Sequence, residues 1–381
     1  MSNRPLWMEN LDSVMMRFVT RTRRSFQWQS FLSMALLLAV GVSACASAGS
    51  NVRQGVQPDQ TVPTPSAPQT SASPTPPPTL YLPGQQAWRN GASSLLFGTN
   101  DDEEYSYNNL DTQPRFQQAL KSAGVTLVRT FVQDPSTDQE IDTRIQTIER
   151  IGAQCLVVIP DINDLAFNEH LVNYLGDRCL MYDFGNEPDW TNISVETYSA
   201  AWNTEIPLLR KINPRALFFG PVISYPHTDF IKQFLVNAQA ANNLPDAISF
   251  HWYACYQDPE DACRARIGNL AGAIEHVRAV IYSVLGRELP VGVDEWNFDP
   301  SGPGPAYGDD PIWVSQFIPS VIQQLVAEKV AFACQFDAAS YAGFGSLDMF
   351  DVHTNQPKPQ YYELARQIAI YKPSDLRHPG Q

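Results

Sequence analysis

From Leu80 onward the chain alternates short apolar, β-branched runs with longer amphipathic stretches, and this alternation restricts the fold more than any other feature. Strand-like runs cover Ser94 to Thr99, Val125 to Phe131, Cys155 to Pro160, Met181 to Gly185, Leu217 to Val222, Ala247 to Trp252, Val291 to Glu295 and Ala331 to Phe336. Helical patterns follow them in turn: Pro114 to Ser122, Gln139 to Ile151, Leu165 to Leu175, Val195 to Ile212, Asp229 to Ala241, Ile267 to Leu285, Ile312 to Glu328 and Pro359 to Ile370. Nearly continuous apolar strands belong to a parallel sheet covered on both faces, and the regular alternation supplies its crossover helices. Eight such units predict an α/β fold of the (β/α)8 TIM barrel type, a single domain over residues 80 to 381. An open doubly wound sheet would carry a Gly-rich phosphate loop after its first strand, and Phe97-Gly98-Thr99-Asn100 is not one.

The chain before this domain reads as an address and a spacer. Arg21, Arg23 and Arg24 precede an apolar run from Phe31 to Val42, followed by Ser43, Ala44 and Cys45, the pattern of a secretory signal over residues 1 to 44. That run is short for crossing about 30 Å of hydrocarbon. Val42-Ser43-Ala44-Cys45 resembles a bacterial lipobox, which implies lipidation of Cys45 and an exported protein held on the outer face of the cell membrane. Residues 45 to 79, mostly Pro, Ser, Thr, Gln and Ala, have almost nothing to bury and predict an extended linker.

Charge and cysteines narrow the partners. Residues 1 to 44 carry five arginines against Glu9 and Asp12, a surplus of three that leaves the rest of the chain at −17. Such a surface repels phosphate backbones and makes nucleic acid an unsuitable partner. Cys255 and Cys263 share one loop and suit a disulfide, Cys155 and Cys179 begin consecutive strands and allow another, and Cys334 reads as a buried thiol. No pair has zinc-site spacing and the histidines are scattered, so neither a metal nor another cofactor is expected. The acidic run Asp101 to Glu104 reads as a solvated loop.

In a barrel of this kind the polar residues at the C-terminal ends of strands line the active site. The fourth strand ends Asp183-Phe184-Gly185-Asn186-Glu187-Pro188, and the seventh Val291-Gly292-Val293-Asp294-Glu295-Trp296-Asn297. Period-two alternation puts Val291, Val293 and Glu295 on one side and Asp294 on the other, which favours Glu295 as the inward carboxylate. Strands four and seven face each other across the barrel, so Glu187 and Glu295 would confront each other. Paired carboxyls about 5 to 5.5 Å apart are the requirement of retaining glycoside hydrolysis.

With Asn186-Glu187-Pro188 on strand four, Glu295 on strand seven, His251-Trp252-Tyr253 on strand six and Arg129 on strand two, the chain resembles clan A retaining glycoside hydrolases over residues 92 to 373. Within the clan it is most similar to family 39, then to family 5. The resemblance implies Glu295 as nucleophile, Glu187 as acid/base, and Asn186 as a ligand of the sugar 2-hydroxyl. It further implies that Tyr253 and Arg129 hold Glu295 ionised and that His251 contacts substrate or nucleophile. Trp190 and Trp296 are expected to stack on sugar rings, and Trp252 to point away from its neighbours. Many clan members end strand eight with a Trp floor, where this chain has Gln335-Phe336-Asp337-Ala338. The expected partner is an oligo- or polysaccharide with β-linkages. A carbohydrate-binding lipoprotein without catalysis and a cell-wall transglycosylase using the same carboxylates are the competing functions.

Overall fold

The computed structural model describes residues 82–101, 109–133, 135–301, 304–340 and 345–374. The signal expected over residues 1 to 44, Cys45 with its expected lipidation, the whole linker expected over residues 45 to 79, and Asp102 to Glu104 lie outside the described residues.

Eight parallel strands form the expected barrel: β1 Gly98–Asp101, β2 Leu127–Phe131, β3 Gln154–Ile159, β4 Met181–Phe184, β5 Leu217–Phe219, β6 Ile248–Tyr253, β7 Val291–Asn297 and β8 Phe332–Gln335. Hydrogen-bonded neighbours run β5-β4-β3-β2-β1-β8-β7-β6. Parallel bridges from Phe219 to Ala247 and from Ile223 to Phe250 join β5 to β6 and complete the circle. The main covering helices are α1 Pro114–Ala123, α2 Asp138–Ile151, α3 Leu165–Leu175, α4 Val195–Ile212, α5 Thr228–Ala240, α6 Asn269–Leu285, α7 Pro311–Ala327 and α8 Pro359–Tyr371.

Alternation along the strands divides the core in two. Leu127, Leu156, Met181, Phe219, Phe332 and Cys334 pack inside the barrel, joined by Leu82 and Leu95 from the segment leading into β1. Val128, Val157, Tyr182, Phe218, Val293 and Trp296 point the other way, into the layer beneath the helices. The lower interior is therefore apolar, and the polar side chains of these strands gather above it at their C-terminal ends. Helix boundaries follow local chemistry. The Thr137 hydroxyl accepts from Glu140 N while the Glu140 carboxylate accepts from Thr137 N, a reciprocal cap that starts α2. Gly152, at φ 84°, ends the same helix in the left-handed conformation.

Local capping also moves two expected boundaries. Ser94 to Leu96 form a helical turn rather than the start of β1, because the Ser93 hydroxyl accepts from Leu95 N. The helical pattern from Ile267 becomes α6 from Asn269, preceded by a separate short helix, Glu260–Arg266. Cys155 is bridged to Cys179 and Cys255 to Cys263, with Cα separations of 5.6 and 5.2 Å, and Cys334 is a buried free thiol. Asp101 departs from the solvated-loop expectation: it is 2% exposed, and its carboxylate accepts from the Thr130 hydroxyl at 3.4 Å.

Candidate active site

Arg129 organises the top of the barrel. It follows Leu127 by two residues on β2, so it points inward, and its side chain is fully buried. Its Nε donates to Asp183 Oδ2 at 2.7 Å; Nη1 donates to Asn100 Oδ1 at 2.9 Å and to Glu295 Oε2 at 3.2 Å; Nη2 donates to Asn186 Oδ1 at 2.7 Å. Burial opposes the guanidinium charge, but Asp183, Asp294 and Glu295 outweigh it and hold the group protonated. One planar cation thus joins β1, β2, β4 and β7. Since Arg129 can only donate, the amide oxygen of Asn186 must face it, leaving the Asn186 NH2 for the cleft.

The loop after β4 presents Glu187 through unusual backbone. Gly185 has φ 85°, and a Cβ there would come within 3.2 Å of both Ile162 and Tyr198. Glu187 itself has φ 46°, the left-handed region that non-glycine residues seldom occupy. Its N–H donates to Val222 O at 2.8 Å, tying the end of β4 to the chain beyond β5. A strained residue of this kind marks a place where side-chain direction has been favoured over backbone comfort.

Glu295 reaches the interior by a different route from the one alternation predicts. Val293 lies in the outer layer, so simple alternation sends Asp294 inward and Glu295 outward. Register shifts between Val293 and Trp296 against β8, and between Ser249 and His251 against β6, mark an irregularity that turns both carboxylates inward. Asp294 Oδ2 comes to 3.8 Å from Arg129 Nε, and Glu295 Oε2 to 3.2 Å from Nη1. Glu295 faces the interior as expected, and the expected opposite facing of Asp294 is corrected.

Four side chains converge above this layer. His251 Nδ1 lies 2.7 Å from Glu187 Oε1 and 3.4 Å from Glu295 Oε2, and the Tyr253 hydroxyl donates to Glu295 Oε1 at 2.5 Å. One oxygen of Glu187, one of Glu295 and a nitrogen of His251 all fall within 4.8 Å of one another. Such a trio has the donor types of a metal site, but the Arg129 guanidinium already occupies a face of Glu295 and repels a cation. Burial disfavours a charged His251; Glu295, Glu187 and Asp294 prevail and push its pKa up to about 9. The imidazolium then lets two carboxyls stand close together. Burial raises the Glu295 pKa and nearby Glu187 adds to the rise, while His251, Arg129 and the Tyr253 hydroxyl pull it back. Asp183 is held well above the carboxylate range by burial and then by Asp294, against the pull of Arg129.

These groups open into a cleft of about 730 Å³ lined by Asn186, Glu187, Trp190, Tyr253 and Glu295, with Phe131, Phe336, Ser224, Tyr225 and Tyr256 among its other walls. Trp190 stands 68% exposed there. Trp296 does not join it. The irregularity that turns Glu295 inward leaves Trp296 outward and fully buried, 6.3 Å from the ring of Phe317 on α7, so its expected stacking on sugar is corrected. Trp252 also faces away, parallel to Phe317 at 6.3 Å, as its alternation with His251 and Tyr253 predicts.

Phe336, at the end of β8, lines the cleft and meets the Tyr253 ring edge-on at 6.4 Å. An apolar ring therefore occupies the place where the sequence offered no Trp. Asn100 and Asp183 belong to this layer but were not singled out from sequence, whereas Asp294 was weighed there against Glu295 and set on the opposite side. The signal for Asp183 was its inward register two residues after Met181; that for Asn100 was its pairing opposite Arg129, which only the sheet register supplies.

No protein-family model matches the chain, and no curated protein matches it. Solved structures do. A glucosidase from Croceicoccus marinus superposes with a TM-score of 0.57 at 16% identity, covering 73% of this chain and 68% of that one. The GH51 arabinofuranosidase from Xanthomonas axonopodis pv. citri gives 0.55 at 15% identity, over 75% and 74%. A GH5-4 broad specificity endoglucanase from Clostridium acetobutylicum gives 0.51 at 13% identity, over 72% and 96%. At such identities the likeness is one of fold, the (β/α)8 barrel that these glycoside hydrolases share.

Proposed function

We propose that this protein is a retaining glycoside hydrolase acting on a β-linked glycan. The observation that carries the reading is the approach of Glu187 and Glu295, with an oxygen of each inside a 4.8 Å cluster at the mouth of the barrel. An approach within that bound suits the roughly 5 to 5.5 Å spacing of retaining sites better than the roughly 6.5 to 9.5 Å that leaves room for a water in inverting ones.

The surroundings divide the roles. Glu295 has donors on both oxygens, Tyr253 on Oε1 and Arg129 on Oε2. Those contacts favour the carboxylate, the form that attacks the anomeric carbon. Glu187 is more open to the cleft and has the smaller set of partners, which suits a group that protonates the leaving oxygen and later takes a proton from water. The NH2 of Asn186 is directed to a substrate hydroxyl, and Trp190 and Phe336 offer rings to the sugar's apolar faces. Similarity in fold to a glucosidase, an arabinofuranosidase and an endoglucanase agrees with glycosyl chemistry. Within the clan, the motifs ending β4 and β7 favour family 39 over family 5.

The same proposal extends to location. Residues 1 to 44 act as an export signal, lipid on Cys45 holds the protein at the outer face of the membrane, and residues 45 to 79 space the barrel from it. The test is sugar release by the full chain from xylan, mannan, β-glucan and aryl β-glycosides, beside Glu295→Ala. Release by the wild type alone supports the enzyme and its nucleophile; near-normal release by the variant overturns the assignment of Glu295. A folded wild type that binds glycans without cleaving them favours the binding lipoprotein.

A further inference from the structure

Five aromatic side chains are prominently exposed among the described residues, and three of them, Trp190, Tyr225 and Tyr256, line the same cleft at 68%, 52% and 58% exposure. Tyr282 and Tyr362, the other two, lie outside it. Leaving an aromatic ring in water forgoes burial that folding would reward, so a cluster beside the carboxylates calls for an occupant.

Their arrangement around the barrel is one-sided. Trp190 follows β4, Tyr225 follows β5 and Tyr256 follows β6, so they occupy the arc running from Glu187 through the β5 and β6 loops. Among the described residues, the opposite arc contributes Phe131 at the end of β2, Pro300 after β7 and Phe336 after β8. No described residue of the loop between β3 and α3 lines the cleft. On the proposed mechanism the sugar being transferred sits over Glu295, and the departing oxygen lies at Glu187. The group attached to that oxygen therefore extends along the aromatic arc.

The arc is also held in place by contacts among its loops. Trp190 N donates to Glu187 O at 3.0 Å, and the buried Asp189 carboxylate accepts from Ser224 N and the Ser224 hydroxyl, both at 2.9 Å. His251 N donates to Ile223 O at 2.8 Å, joining the β5 loop to β6. Beyond β6, Tyr256 N donates to Asp258 Oδ2 at 3.1 Å, Gln257 N to Asp299 Oδ2 at 2.7 Å, and the Cys255–Cys263 disulfide closes the loop. Loops fixed before binding lose little freedom when a ligand stacks on the rings they carry. Beyond Glu187, the charged side chains that line the cleft on this arc, Asp258 and Arg266, pair with each other, Arg266 Nη1 meeting Asp258 Oδ2 at 2.5 Å. Apolar ring faces with balanced charge suit a neutral pyranose chain.

We infer that Trp190, Tyr225 and Tyr256 form a preorganised platform for the leaving portion of the substrate, and that this portion is itself a neutral oligosaccharide. The inference rests on the glycosidase reading and narrows it to glycans with sugar on both sides of the cleaved bond. Trp190 is a specificity residue on this account, together with two tyrosines that sequence reasoning did not select.

The test compares substrates with and without a sugar leaving group. The full-length wild type, Trp190→Ala, Tyr256→Ala and the off-cleft control Tyr282→Ala are assayed on β-1,3- and β-1,4-linked glucotriose and on xylotriose, beside β-glucosyl and β-xylosyl fluoride. Fluoride departs without contacting the arc. The ratio of kcat/KM on trisaccharide to that on the matching fluoride is expected to fall about tenfold in Trp190→Ala and in Tyr256→Ala. Tyr282→Ala is expected to leave the ratio unchanged. A ratio that moves less than about twofold in both cleft variants overturns the platform, as does an equal fall in Tyr282→Ala. Because the readout is a ratio within one protein, partial misfolding cancels from it. Turnover of neither fluorides nor trisaccharides by a folded wild type that also releases no sugar from xylan, mannan, β-glucan or aryl β-glycosides would overturn the glycosidase reading and this inference with it; turnover of fluorides alone would overturn only the inference.

Discussion

Replacing Arg129 with methionine should destabilise the barrel by an amount that grows with pH. Methionine keeps an apolar stem of similar reach but withdraws the charge from Asp183, Glu295 and Asp294, at 2.7, 3.2 and 3.8 Å. Breaking a buried ion pair by removing one partner typically costs about 3 to 5 kcal/mol. Against a total stability on the order of 5 to 15 kcal/mol, this is a large share. The sign with pH follows from the carboxyls left behind. The Asp183 and Glu295 pKa values already lie above their ordinary ranges in the folded protein, and loss of Arg129 raises both further. A carboxyl whose folded pKa exceeds its unfolded value contributes stability that is full below the unfolded pKa and lost as pH rises through the folded one. The gap between wild type and Arg129→Met should therefore be widest near pH 8 and narrow toward pH 5. Urea unfolding followed by tryptophan fluorescence at both pH values measures it. A gap below about 1 kcal/mol at pH 8, or one that widens on acidification, would refute the view of Arg129 as the cation that makes this buried acidic layer tolerable.

Three further outcomes can be checked. Tyr253→Phe removes the donor at 2.5 Å from Glu295, and since that donor lowers the Glu295 pKa, kcat/KM should fall about 10- to 100-fold and the acidic limb of its pH profile should move to higher pH. Glu187→Ala should lose about 10²- to 10⁴-fold in turnover of an unactivated glycan, and added azide should restore turnover of an activated β-glycoside as the β-glycosyl azide, seen by NMR; an α-azide would contradict double displacement. Burial, then Asp111, lifts Asp101 to about 7 against the opposing Arg144 and Thr130, so its contribution is lost as pH rises through that value. Asp101→Asn should accordingly raise the melting temperature at pH 8 and change it little at pH 4, as calorimetry would show.

The ends of β4 and β7 show why parts of the site were legible in sequence. Strand and helix periods act locally, so the eight β/α units could be read from side-chain order, and the strand-end rule then brought Glu187 and Glu295 to one mouth. Alternation on β6 correctly set His251 and Tyr253 against Trp252. The same rule failed on β7, because an irregularity depends on pairing with β6 and β8, which no run of β7 residues reveals. It selected Glu295 for a reason the fold does not use, although the side it gives Trp296, opposite Glu295, is the one observed.

What the sequence determined by itself was therefore the architecture, which follows from period and strand order, and the two strand ends at which Glu187 and Glu295 stand. Only the tertiary structure decided that Asp183 and Asp294 share Arg129, that Asp101 is buried, and that Trp190, Tyr225 and Tyr256 meet along one wall. Those are relations between strands and loops distant along the chain, fixed by register, burial and electrostatic balance, and they exist only once the barrel has closed.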